Sequence, residues 1–134
     1  MSEHAINLRS TIGVHRDLPL LRHFVDHYRA LGVTNFLLAL HSPSEDNCDL
    51  GEARRILNDL EIVPAKIWIT QHWNTGANAG VHRELVKHLS EDAWIVTADI
   101  DEFHEFPQAL SEFSKTLADA GQNVARGRLT ERIA

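Results

Sequence analysis

Along this chain a short run of apolar and β-branched residues repeatedly gives way to a segment with helical periodicity. That alternation is the strongest constraint on the fold. Strands are expected at residues 8–14, 33–40, 63–69, 93–98 and 123–129. Between them, Leu21, Phe24, Val25, Tyr28 and Leu31 form one helical face, entered at Asp17 and Pro19 and closed at Gly32. Asp49 with Glu52 opens a second helix with an apolar face of Ala53, Ile56, Leu57 and Leu60. A third, over 77–89, turns Val81, Leu85, Val86 and Leu89 inward. A fourth runs from Pro107 to about Ala120 on Leu110, Phe113 and Leu117. Strands alternating with helices imply an α/β sandwich with a mainly parallel sheet.

In such sheets ligands bind outside the carboxyl ends of the strands. The stretches 15–17, 41–46, 71–78 and 99–105 all follow expected strands and should share one rim. The sharpest of them follows the run Trp94-Ile-Val-Thr-Ala, which breaks into Asp99-Ile-Asp101-Glu102-Phe103 and then His104 and Glu105. Residues i and i+2 of an extended chain point the same way, roughly 6.5–7 Å apart. Two carboxylates so placed can share a hard divalent cation, since Mg²⁺ and Mn²⁺ favour oxygen ligands. Solvated loop acids leading to a helix at Pro107 would give the same pattern, and on spacing alone the two readings stand even. His104 lies close enough in sequence to join the acids as a ligand or as support.

Length and charge narrow the partners. The 134 residues suit one domain, 43% of them apolar and 24% charged. The net charge is −6, and the 13 lysines and arginines are scattered, which argues against a nucleic-acid partner. An acidic chain that binds phosphate needs a metal to bridge like charges. Cys48 is the single cysteine, so neither an internal disulfide nor a cysteine-rich zinc site is expected. No apolar run approaches a transmembrane length and the N-terminus lacks a signal pattern, so a cytoplasmic chain is the default expectation. Nine histidines invite a zinc reading. His23 and His27 are four apart on the first helix, but hydrogen bonding at the helix surface or the core edge is the plainer role, and His82 and His88 read as residues of a solvated helix. Gly76 to Gly80 is not followed by the Gly-Lys-Ser/Thr of a phosphate loop, and no nucleophile motif for acyl transfer is present.

Three stretches together carry a family resemblance. Residues 94–107, Trp94-Ile-Val-Thr-Ala-Asp-Ile-Asp-Glu-Phe-His-Glu-Phe-Pro107, resemble the D-x-D-E-F segment of glycosyltransferase family 2-like proteins with the GT-A fold. Residues 14–33 resemble the opening of that family, where a strand ends in a polar pair and a helix closes with His-x-x-x-x-Gly, here His27 to Gly32. Residues 126–132 are similar to a segment that follows in the same proteins.

The resemblance implies a Rossmann-like three-layer α/β/α sandwich over residues 1–134, a nucleotide-sugar-binding GT-A half without the acceptor part such enzymes carry after it. By similarity, His15, Arg16 and Asp17 after the first strand and Asp46 in the Ser44-Glu-Asp46 turn would line the nucleotide. Asp99 and Asp101 would hold Mn²⁺ or Mg²⁺ and, through it, the diphosphate of a nucleoside-diphosphate sugar, with Asp99 also within reach of the ribose. The acceptor and the catalytic base are not implied. The chain departs from the pattern where Arg16-Asp17 replaces the usual Asn-Glu and where Leu40 or His41 stands in place of an acid. Two other classes compete: a non-catalytic module of the same fold that forms homo-oligomers through an exposed sheet edge, and a D-x-D phosphatase, against which Glu-Phe rather than Gly-Thr follows the acids.

Overall fold

In the computed structural model, residues 5–125 are described. Eight elements follow one another: β1 (Ile6–Gly13), α1 (Val14–Leu31), β2 (Asn35–Ser42), α2 (Cys48–Asp59), β3 (Lys66–Ile69), α3 (Thr75–Val86), β4 (Trp94–Thr97) and α4 (Leu110–Asp119). The strands form one parallel sheet in the order β3-β2-β1-β4. The fold is α/β with helices on both faces, consistent with a Rossmann-like sandwich.

Side-chain alternation along β2 separates the layers. Phe36, Leu38 and Leu40 join the larger core, which holds Leu21, Phe24, Val25 and Tyr28 of α1 and Leu50, Ala53 and Leu57 of α2. Leu37 and Ala39 face the other way, onto Val81 and Leu85 of α3. Full burial of each large side chain contributes about 1.5–3 kcal/mol, so the α1/α2 layer carries most of the stabilisation. On the α3 side β1 is polar, and its residues satisfy one another and their neighbours. Asn35 Nδ2 donates to Asn7 Oδ1 at 2.8 Å, Arg9 Nε to Thr97 Oγ1 at 2.8 Å and Thr11 Oγ1 to Asn78 Oδ1 at 2.6 Å.

Several boundaries differ from those the sequence suggests, for local reasons. The first helix begins at Val14, not after Asp17, with Gly13 as N-cap. Asp17 lies in its first turn, where Oδ2 accepts the Gly13 amide at 3.0 Å. Pro19 is therefore inside α1; the carbonyl it leaves without an i+4 donor is that of His15, on the exposed rim. At the other end Gly32 adopts φ 109° and donates to Arg29 O, while Val33 donates to Tyr28 O at 2.9 Å. This closure consumes Val33 and delays the second strand from residue 33 to Asn35. Asn47 rather than Asp49 caps α2, accepting the Asp49 amide at 2.8 Å, and Glu52 pairs with Arg55 instead of closing a capping box. β3 starts at Lys66; Val63, expected within it, is 85% exposed. Asn74 caps α3 by accepting the Ala77 amide at 2.7 Å, so that helix begins two residues before Ala77. α4 starts at Leu110, three residues after Pro107. Residues 123–125 form no strand, and the rest of the strand expected over 123–129, like residues 126–132, lies outside the described residues.

β4 also departs from expectation. Among the described residues it is an edge strand, with four half-buried or exposed residues rather than a fully buried run. The chain runs from β1 to β2 and β3, then returns through α3 to the opposite side of β1. The topological switch point therefore falls between the carboxyl ends of β1 and β4, where an open α/β sheet presents its crevice.

Candidate functional site at the switch point

Gly13 sits where β1 passes into α1. A Cβ there would stand 3.1 Å from Asp17 Oδ2 and 3.3 Å from Arg16 Nη2, so the glycine lets both side chains fold back over the strand end. Across the crevice, β4 ends at Thr97 and the chain turns through Asp99–Glu102, with the Glu102 amide donating to Asp99 O at 2.9 Å. Asp99 and Asp101 thus occupy a turn, not the extended chain assumed from their spacing. Ile100 between them is 5% exposed and packs into the main core, leaving the two flanking acids at the surface.

Like charges dominate the electrostatics of this turn. Partial desolvation raises the pKa of Asp99, the charges of Glu102 and Asp101 raise it further, and Asp17 adds to them; only His82 opposes. Asp99, Asp101 and Glu102 thus repel one another within the turn, and Asp17 adds the smallest contribution to Asp99. Among the described residues neither Asp99 nor Asp101 has an arginine or lysine partner. His15 and Arg16 are exposed on the first turn of α1. Asp46 is exposed in the turn after β2, and no interaction joins it to the cluster among the described residues.

The turn is held from behind by residues that spacing did not single out for this role. Tyr28 Oη donates to Glu102 O at 2.6 Å and accepts the His104 amide at 3.0 Å. His27 Nε2 lies 2.8 Å from His104 O and must be the donor, since a carbonyl only accepts. His27 is thus a clamp on the acidic loop, while His23 is exposed. The His104 ring lies 3.8 Å from Glu102 Oε1, and it is the main chain of His104 that makes the close contacts. The available signal was a lone tyrosine on an apolar stripe: a buried phenol needs a partner for its hydroxyl.

Two further histidines line the rim. His41, where the resemblance expects an acid, is 3% exposed. Its Nε2 donates to Thr70 O at 3.2 Å, its Nδ1 has no partner among the described residues, and its ring packs 4.8 Å from Trp68 and 5.8 Å from His15. Burial lowers its pKa, with the Thr70 bond opposing and the charges of His15 and Arg16 adding, so the fold disfavours the charged ring. His82 is half-buried, with its Nε2 unpartnered among the described residues, not the solvated residue its helix suggested. Burial and Arg9 lower its pKa, while Asp99 raises it.

Among the described residues no three His, Cys, Asp or Glu side chains are placed together to hold a metal ion. Two carboxylates do suit Mg²⁺ or Mn²⁺ that takes its remaining oxygens from phosphate and water. Beside β4, Trp94, Val96, Phe106, Leu110, Phe113 and Leu117 line an apolar groove of about 460 Å³. No helix among the described residues is long and apolar enough to cross a membrane. Neither a family model, nor a curated protein, nor a solved structure matches the chain.

Proposed function

We propose that this chain is a donor-binding domain of the glycosyltransferase family 2-like type. It takes a nucleoside-diphosphate sugar through Mn²⁺ or Mg²⁺ at Asp99 and Asp101, for glycosyl transfer to an acceptor. The observation that carries the reading is the pair of surface carboxylates at the switch point, crowded by Glu102 and Asp17 and lacking a basic partner among the described residues. Crowded like charges are costly unless a cation joins them, and a crevice at the strand ends is where such a ligand sits. Asp101 is the direct ligand, and Asp99 contacts metal or ribose. His15, Arg16, Asp17 and Asp46 line the nucleotide end. When bound, the ion would offset negative charge developing on the departing nucleoside diphosphate.

Millimolar Mn²⁺ with UDP-, GDP-, CDP- or ADP-sugars, tried in turn, should raise the melting temperature by several degrees. Saturation at one hundred times Kd stabilises by about 2.7 kcal/mol. Asp101→Ala should abolish the shift, and a wild-type protein that responds to none of these donors would refute the reading.

Among the described residues β4 lies at the sheet edge beside an apolar groove, which favours a second reading, a non-catalytic module that pairs with another copy of itself. Sizing across a hundredfold concentration range separates the two, since only the module requires a dimer.

A further inference from the structure

The main chain of the D-x-D turn is tied to the core through the hydroxyl of Tyr28, beside the buried Ile100 within the turn and the His27 bond at its far end. The ring of Tyr28 is fully buried, edge-on to Phe24 at 4.9 Å and to His27 at 4.8 Å, so core packing fixes where its hydroxyl lies. That hydroxyl is saturated by main-chain groups of the acidic loop, donating to Glu102 O and accepting from His104 N. Glu102 in turn ties down both backbone groups of Asp99. Its amide donates to Asp99 O at 2.9 Å, and its carboxylate accepts the Asp99 amide at 2.8 Å. The path from helix to acid is therefore continuous: α1, Tyr28 Oη, Glu102, Asp99.

We infer that Tyr28, acting through Glu102, is the positioning residue of the D-x-D site. Its hydroxyl holds the turn in the one geometry that presents Asp99 and Asp101 together, so capture of a metal–diphosphate depends on a phenol that touches neither. The ligand part of this inference rests on the donor-binding reading above; the coupling of Tyr28 to Asp99 stands without it. The first turn of α1 carries Asp17, so one rigid helix sets both walls of the crevice. Preorganisation of this kind needs support whose own conformation is locked by packing, which a buried ring supplies and a surface loop does not.

The test compares Tyr28→Phe, Glu102→Ala and Glu102→Gln with the wild type. Leu57→Ala on the far helix α2 serves as a destabilised control that leaves the loop alone. Two quantities are read: exchange of the Asp99 amide by NMR, and calorimetric binding of UDP, GDP, CDP and ADP with and without Mn²⁺. Tyr28→Phe keeps the ring and removes only the hydroxyl. It should accelerate Asp99 amide exchange at least tenfold and weaken Mn²⁺-dependent binding at least tenfold. Glu102→Ala should do the same, while Glu102→Gln, which keeps an oxygen acceptor, stays within about threefold of the wild type. Leu57→Ala should leave Mn²⁺-dependent binding unchanged. Unchanged Asp99 exchange in Tyr28→Phe overturns the inference, as does a Leu57→Ala effect on binding as large as that of Tyr28→Phe. Should Tyr28→Phe fail to fold, the Glu102 pair decides: equal behaviour of Ala and Gln overturns it. If exchange responds as expected but the wild type binds none of the four diphosphates, the donor-binding reading falls and the Tyr28–Asp99 coupling stands.

Discussion

The main-chain amide of His104 donates to the Tyr28 hydroxyl across 3.0 Å, and Tyr28 is the only tyrosine in the chain. Its ionisation can therefore be followed alone by ultraviolet absorbance. Burial, with the nearby charge of Glu102, pushes its pKa up from 10.0 to about 12, against an opposing contribution from the His104 bond. Because the folded-state value is raised, the unfolded chain loses its phenolic proton first. Stability is then intact below pH 10 and declines as pH climbs from 10 towards 12. Tyrosinate absorbance should appear only near pH 12 or on unfolding, and a reversible transition at pH 10 in the folded protein would refute the buried hydroxyl.

His41 gives the acid-side counterpart. Its pKa is depressed below 6.5 in the fold, mainly by burial. As pH falls through 6.5 the unfolded chain takes up a proton that the fold refuses, so stability present above that pH is lost below it. His41→Gln keeps a donor for Thr70 O and removes the titration. The drop in urea midpoint between pH 7.5 and 5.5 should be smaller in the variant than in the wild type. It should not vanish, because the depressed pKa of His82 acts in the same direction. An unchanged drop would place the His41 ring in solvent.

The elements were legible in the sequence and their ends were not. Period together with β-branched runs and turn residues finds the four helices and the four described strands among five expected, because Phe24, Val25 and Tyr28 or Val81 and Leu85 must share a face to be buried together. Boundaries depend on hydrogen bonds that period does not encode. The Val33 amide is taken by Tyr28 O, and Asn47 and Asn74 cap helices where Asp49 and Ala77 were expected to begin them. The acids Asp99 and Asp101 stood out because charge follows an apolar run directly. Their support did not, since Tyr28 lies 74 residues from Glu102 in sequence and nothing local links the two. His82 was misread because its helix has polar neighbours, while the residue itself lies against the polar end of β1 at Arg9.

Core and surface substitutions on α1 should differ sharply in cost. Phe24 is fully buried and meets Tyr28 at 4.9 Å and Phe103 at 6.4 Å. Phe24→Ala should lower the unfolding free energy by about 3–5 kcal/mol. Arg22, two residues away, pairs with Asp59 of α2 at 3.2 Å with both side chains 47% exposed. Solvent screening limits that pair, and Arg22→Ala should change stability by about 0–1 kcal/mol. Urea denaturation at neutral pH checks both, and a comparable loss for the two variants would contradict the layering of the core.

Stability and binding should move in opposite directions at Asp99. In the metal-free protein its carboxylate is crowded by Glu102, Asp101 and Asp17, and that repulsion works against the fold at neutral pH. Asp99→Asn removes one of the charges while keeping the side chain's size. The amide whose hydrogen bond orders the turn belongs to the main chain of residue 99, so the substitution leaves it in place. Without metal the variant should melt higher than the wild type, by roughly 1–3 °C. With millimolar Mn²⁺ and a nucleoside-diphosphate sugar the order should reverse, because only the wild type offers two charged ligands. A site kept for binding at the expense of the empty fold predicts this crossing of the two melting curves. A surface acid without a ligand predicts the first half alone, with Asp99→Asn remaining the more stable protein whatever metal or donor is added.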